Sequence, residues 1–277
     1  MIALIPYFTI PIVEFGPIVL DSWAILVSLG FILGLEISRA RGIRQGLDVR
    51  DVVDSALVIV GMGFLVGHLV HVLAYNPHQL EEQGIWALLK IWAGFSSTGG
   101  FIGAVLGAIL FFKVLRPRPF WIHADTIMFG FPFAWTLGRL GCFSAHDHIG
   151  RLSDFALAVD FPVAQYGGPR HDLGLYEALW TIVIAVVFFL LRNRTVKHGF
   201  FMALWCAMYA PVRFLLDFLR NDDLGGSDVR WGALTPGQYG SLIMFVAGIA
   251  LVVRLRKGNL EQQNVGPASP EEPAGEE

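Results

Sequence analysis

Seven apolar runs long enough to cross a bilayer confine this chain to a bundle of membrane helices. They cover residues 22–37, 52–75, 91–115, 122–143, 173–191, 199–218 and 238–253. Each is continuously apolar, whereas the strands of a membrane barrel alternate apolar and polar side chains. Of the 277 residues, 55% are hydrophobic and 16% charged, against roughly 25% charged in a soluble domain. No basic stripe is interleaved with aromatics, which argues against nucleic acid as a partner. The start, "MIALIPYFTIPIVEFGPIVLD", lacks the basic region of a cleavable signal. Cys142 and Cys206 fall in or beside different runs and make no disulfide framework.

Orientation follows from Lys and Arg, which collect in cytoplasmic loops. Arg39, Arg41, Arg44 and Arg50 follow the first run, and Lys113, Arg116 and Arg118 the third. Arg192, Arg194 and Lys197 follow the fifth, and Arg254, Arg256 and Lys257 the seventh. The intervening segments are acidic or mixed: Glu14 and Asp21, "NPHQLEEQG", residues 144–172 and "RNDDLGGSDVRWGALTP". The alternation predicts an all-α integral membrane protein of seven transmembrane helices. Its amino terminus is periplasmic and its carboxyl terminus cytoplasmic, with a periplasmic loop region between helices four and five. Residues 1–257 form the membrane domain, and the polar, acidic stretch 258–277 reads as a disordered cytoplasmic tail.

Polar groups inside such runs are costly and mark function. His68 and His71 share a helix face, which suits either bonds to neighbouring helices or a site. "FSSTGG" puts Thr98, Gly99 and Gly100 at a small, polar spot in the third run. Small residues let helices approach closely, and a helix broken at Gly-Gly exposes N–H groups to an anion. Gly103 and Gly107 extend the small face and read as packing. In the fourth run Pro132 predicts a kink, and Arg139 lies near the outer end. In the sixth, Tyr209, Arg213 and Asp217 recur every four residues on one face. One aspartate cannot neutralise two intramembrane arginines, so Arg139 and Arg213 point to an anionic ligand gripped by planar guanidinium forks. At the membrane rim that anion is a phospholipid headgroup. Arg170, His171, Tyr176 and Glu177 gather at the outer end of the fifth run, as a helix cap or a site rim.

These segments, in this order, resemble the prolipoprotein diacylglyceryl transferase family over roughly residues 15–253. "GRLGCFSAHDHIG" supplies Gly138, Arg139, Gly141, Phe143 and Gly150 of a signature that reads Gly-Arg-x-Gly-Asn-Phe-x-Asn-x-Glu, with a Gly a few residues on. "STGGFIGAV", "RHDLGLYEAL", "YAPVRFLLDFLRNDD" and "LTPGQYGSL" resemble further family segments. The resemblance implies transfer of the diacylglyceryl group of phosphatidylglycerol to the lipobox cysteine of a prolipoprotein. The reaction belongs to the outer face of a bacterial inner membrane, and glycerol phosphate leaves. Phosphatidylglycerol, the prolipoprotein signal peptide and membrane lipids are then the partners of a monomer that needs no cofactor. Several positions depart from the family: Thr98 replaces a His, Cys142 and Ala145 replace Asn, Trp23 a Tyr and His68 an Arg.

The expected site has Arg139 and Arg213 on the phosphate, with Asp217 orienting Arg213. Thr98, Gly99, Gly100, Gly141, Cys142 and Gly150 complete the lipid-binding set, and Tyr209 joins the catalytic one. Thr98 cannot serve as a base, so His146 or His148, beside Asp147, is expected to take the thiol proton. Two other uses fit the same residues: a related transferase with Cys142 as nucleophile next to His146, and a phospholipid-binding paralogue without catalysis. Cys142, His146, Asp147 and His148 are metal ligands by type, but their spacing matches no metal motif and no metal is expected.

Overall fold

Several helices of this chain start at side chains that accept from backbone N–H groups left over in the first turn. A computed structural model describes residues 5–15, 18–91, 93–224 and 230–258, so the expected acidic tail lies, after Gly258, outside the described residues. The helices are α1 (Ser22–Arg44), α2 (Val49–Val70), α3 (His78–Gln83), α4 (Trp86–Leu89), α5 (Ser97–Leu110), α6 (Phe120–Ala145), α7 (Val163–Tyr166), α8 (Leu173–Leu190), α9 (Phe200–Leu216) and α10 (Pro236–Lys257). Asp48 caps α2 through Arg50 N and Asp172 caps α8 through Leu175 N. Thr235 and Gln238 form a reciprocal capping box on α10, with Pro236 in its first turn.

Among the described residues, six stretches are long and apolar enough to cross a membrane: Ser22–Arg44, Val49–Tyr75, Ser97–Leu115, Leu173–Leu190, Phe200–Leu219 and Pro236–Lys257. The protein is therefore a helical, multi-pass membrane protein. The remaining expected span is α6, a helix of 26 residues, or about 39 Å of rise. It carries His123, Asp125 and Arg139. The third span starts later than its apolar run: Gly94 has a left-handed φ of 128° and Ser96 caps the helix that begins at Ser97. That helix is not broken at Gly99–Gly100. Gly99 N donates to Ser96 Oγ at 3.3 Å and Gly100 N to Ser96 O at 2.9 Å. The expectation that these two amides face an anion is corrected accordingly: the serine already holds them.

Contacts divide the chain into two compact units, the described residues of Met1–Glu36 with Met128–Asn259 and those of Ile37–Ile127. In the second, α2 and α5 pack backbone to backbone. A Cβ on Gly103 would stand 2.2 Å from Met62 O, and one on Gly99 2.8 Å from Val66 O. The small-residue face is thus a helix-packing surface. His68 is fully buried, with Nδ1 3.0 Å from Gly94 O and Nε2 2.9 Å from Ala87 O. It ties the α4 turn to α2, the first of the two uses its position suggested. At the other end of α2, Asp51 and Asp54 pair with Arg116, and Asp51 with Arg118.

In the first unit, residues 144–172 are more ordered than a plain loop. β4 (Ile149–Leu152), β5 (Val159–Asp160) and β6 (Arg170–Asp172) join β1 (Ile5–Pro6) in one sheet of order β1-β5-β6-β4. β1 runs parallel to β5 and the other pairs are antiparallel. A separate hairpin, β2 (Val13–Phe15) with β3 (Ile18–Leu20), precedes α1. Arg170 locks the sheet to the segment after α9. Its buried fork donates to both Asp223 oxygens and to Gly150 O. Gly150 permits this approach, since a Cβ there would lie 2.6 Å from Leu219 O.

Two outcomes follow for stability. Gly103→Ala forces α2 from α5 and costs about 1–3 kcal/mol, the usual price of overpacking; thermal unfolding in detergent reads it, and an unchanged midpoint would refute the close approach. The hydrogen bonds from Arg170 hold the Asp223 carboxyl below the ordinary aspartate range. A carboxylate depressed in the folded state adds stability above its unfolded pKa and loses it as pH falls through the folded value. Asp223→Asn should therefore lower the midpoint at pH 7, and its difference from the parent should close below about pH 4.

Candidate active site

Three helices of the first unit each send charged side chains to one buried cluster. On α6, Trp135, Arg139 and Cys142 share a face by their spacing of four and three. On α9 the same rule aligns Tyr209 and Arg213, and Asp217 opens the 3-10 turn Asp217–Leu219 that ends the helix. Glu177 lies in the second turn of α8. Gly174 lets α8 meet α6 end to end, because a Cβ there would lie 2.8 Å from Phe143 N and 3.0 Å from Cys142 C.

Glu177 is the hub. Its Oε2 accepts from Tyr209 Oη at 2.7 Å and sits 3.1 Å from Arg139 Nε. Its Oε1 lies 3.4 Å from Arg213 Nε, an ion pair outside hydrogen-bond geometry. Arg213 Nη1 bonds Asp217, which also accepts from Arg220 Nε at 3.0 Å and from Thr235 Oγ1. Trp135 Nε1 donates to Tyr209 at 3.2 Å, and the Arg139 guanidinium lies over the Trp135 ring, 4.7 Å from its centroid. Glu177 is 1% exposed and Arg139 4%, so these charges are isolated from water and depend on one another.

This arrangement corrects the charge count made on the sequence. Two carboxylates, Glu177 and Asp217, match the two buried arginines, so an unmatched cation is not what points to an anionic ligand. The engagement of the forks does. Arg139 commits Nε to Glu177, while its terminal nitrogens make only long contacts, 3.9 Å to Cys142 Sγ and 3.5 Å to Tyr209 Oη. Such distances are beyond good hydrogen bonds, so the outer edge of the fork stays free to grip an oxyanion. Gly237 keeps the neighbouring edge open, since a Cβ there would stand 2.9 Å from Arg213 Nη2. Nearby, an open apolar groove is lined by Phe155, Leu157, Trp180, Val183, Val212 and Leu216.

The "HDH" segment divides. His146 ends α6 in a left-handed φ of 49°, a conformation that costs a non-glycine residue about 1–2 kcal/mol. Its ring contacts offset that cost. Nε2 bonds Phe8 O at 3.1 Å, Nδ1 meets Asp172 Oδ2 at 2.7 Å, and Tyr7 stacks on the ring at 5.2 Å. Burial pushes the Asp172 carboxyl above the ordinary aspartate range. Both ring nitrogens of His146 are thus occupied, which corrects two expectations: it does not stand beside Cys142 as a nucleophile's partner, and it has no free nitrogen to take a thiol proton. Its work is to hold the amino-terminal segment against the end of α6. Asp147 is exposed, His148 half-buried, and the two pair through His148 Nδ1. Their ligand atoms and Cys142 Sγ all lie within 4.8 Å of one another.

Other expected residues sit elsewhere. Gly141 lets α1 approach, with Trp23 backbone 3.3 Å from a Cβ built there. Gly150 belongs to the sheet, and Thr98, Gly99 and Gly100 to the second unit. Sequence reading left Glu177 as a cap or rim. The signal for it was "YEAL" immediately inside an apolar run, a carboxylate that burial would oblige to find a cation.

Residues 11–254 match the family model described as prolipoprotein diacylglyceryl transferase. The phosphatidylglycerol–prolipoprotein diacylglyceryl transferase of Pasteurella multocida is 34% identical over 258 residues, covering 87% of this chain and 93% of that protein. The protein of the same name from Cupriavidus necator is 32% identical over 263 residues, covering 90% and 93%. That from Chromohalobacter salexigens is 30% identical over 248 residues, covering 88% and 91%. The chain belongs to the prolipoprotein diacylglyceryl transferase family.

Proposed function

We infer that this protein transfers the diacylglyceryl group of phosphatidylglycerol to the cysteine thiol of a prolipoprotein. The observation that carries the reading is the loosely engaged guanidinium fork of Arg139, held by Glu177 beside Arg213 in a buried, water-poor cluster. Arg139 and Arg213 take the phosphodiester, Asp217 and Glu177 hold the two forks, and the apolar groove beside α8 receives an acyl chain. The acceptor thiolate attacks the diacylglyceryl carbon bonded to the phosphate oxygen. A C–S bond forms, that C–O bond breaks, and glycerol phosphate leaves with its growing charge against the guanidiniums. The Tyr209 hydroxyl, donated to Glu177, fixes the carboxylate between them. Asp147 and His148 lie at the exposed end of α6 next to Cys142, the rim assigned to the arriving thiol.

The membrane arrangement that suits this chemistry has α6 as a seventh span and the amino terminus outside. The clusters of Lys and Arg at the carboxyl ends of α1 and α10 and after α5 and α8 then face the cytoplasm. The cluster and the sheet open on the outer face of a bacterial inner membrane, where lipoprotein precursors present their cysteine. Residues 1–257 act as the membrane domain, and the tail takes no part.

Complementation of a strain depleted of its own transferase, with a reporter lipoprotein read by mass spectrometry, tests the reaction. Arg139→Ala and Arg213→Ala should each lower lipidation on the order of 10²–10³-fold, the cost of losing a charge-stabilising donor. Full modification by either variant would overturn the assignment, and a parent that binds lipid without modifying the reporter would mark a non-catalytic paralogue. For topology, Asp222→Cys in a chain with both native cysteines as serine should react with an impermeant maleimide in intact cells, and Arg194→Cys only after permeabilisation. The reverse labelling would invert the orientation.

A further inference from the structure

The end of α6 gathers three metal-ligand types at one point. Cys142 Sγ, an Asp147 carboxylate oxygen and a His148 ring nitrogen all lie within 4.8 Å of one another. The geometry points to a site for a thiophilic divalent metal of the zinc type, with Cys142, Asp147 and His148 as its three protein ligands and the acceptor thiol as the fourth.

The donor set selects the metal. A thiolate with an imidazole favours zinc-like ions over the hard, oxygen-seeking Mg²⁺ and Ca²⁺. Zinc holds sulfur at about 2.3 Å and nitrogen or oxygen at about 2.0–2.2 Å, so its tetrahedral ligands stand roughly 3.3–3.8 Å apart. Reaching that spacing takes rotation of Asp147 and His148 and opens the bond between them; they lie one exposed and one half-buried. Cys142 is buried. Its Sγ lies 3.9 Å from the Arg139 guanidinium. His146, the fourth group that composition offers, is excluded by its bonds to Asp172 and Phe8.

Three protein ligands leave one position open, the mark of reactive rather than structural zinc sites. Asp147 at this site is exposed, and Cys142 follows Arg139 by three residues, about one helical turn, on α6. An arriving cysteine exchanges its S–H bond for an S–metal bond, displaces a bound water, and releases its proton to bulk water. His148 is then a ligand and not a base. The arrangement supplies thiol activation to a site whose one buried histidine at the rim has no free nitrogen. The identity of the fourth ligand rests on the transferase reading; the three-residue metal site does not.

The test uses full-length protein purified in detergent, stripped with chelator and reloaded with Zn²⁺ or Co²⁺ alone. About one metal per chain is expected, with Co²⁺ giving tetrahedral ligand-field bands and a sulfur-to-cobalt charge-transfer band. Cys142→Ser should remove the charge-transfer band, whereas Cys206→Ser should not. Asp147→Asn and His148→Ala, at the exposed rim, should weaken binding at least about tenfold, the cost of losing even an outer partner of a ligand. Absence of stoichiometric metal in the parent, or a charge-transfer band that survives Cys142→Ser, would overturn the site. A lipobox peptide should then raise the charge-transfer absorbance and its Ser counterpart should not; an equal response to both would overturn the thiol as fourth ligand. Transfer in cells without metal binding would sink this inference and leave the transferase reading, and metal binding without transfer would do the opposite.

Discussion

The Glu177 carboxylate is the interaction on which the site depends. It stands between Arg139 of α6 and Arg213 of α9 while belonging to α8. A charge removed from water is stable only when paired and hydrogen-bonded, so each of the three helices is held in place by the other two. The glycines at 174 and 237 serve the same end, because a side chain at either would separate the charges. Removing one partner of such a set leaves an uncompensated ion in a low-dielectric interior, which is why the cluster behaves as a unit.

Pairing does not exhaust the guanidiniums. Arg139 uses one nitrogen for its ion pair and leaves the outer edge of its fork on long contacts to sulfur and phenol oxygen. Donors at that edge are already oriented and already desolvated, the preorganisation that stabilises an oxyanion. The aromatic face of Trp135 against the same guanidinium further restricts its rotation. The ion pair with Glu177 and the Trp135 ring thus hold the guanidinium in one arrangement.

At the rim the division of labour within four residues is sharp. His146 is spent on structure, stacked on Tyr7 and bonded to Asp172 and Phe8, and so anchors the amino-terminal strand and the sheet to α6. Cys142, Asp147 and His148 converge instead. Neighbours in sequence diverge here because the helix ends: the left-handed turn at His146 reverses the direction in which the next side chains point.

By itself the sequence determined that the chain crosses a membrane repeatedly. Apolar run length and the distribution of arginines are local properties, and the bilayer imposes the rest. The pairing of Arg213 with Asp217 was equally legible, because spacing along one helix dictates it. Tertiary structure alone decided which charge answers Arg139, which glycines serve packing, and which histidine is bound into the fold. Those outcomes depend on contacts between helices far apart in the chain: Glu177 looks like a helix cap until α6 and α9 are placed against it, and His146 looks like a base until Asp172 and Phe8 take both of its nitrogens.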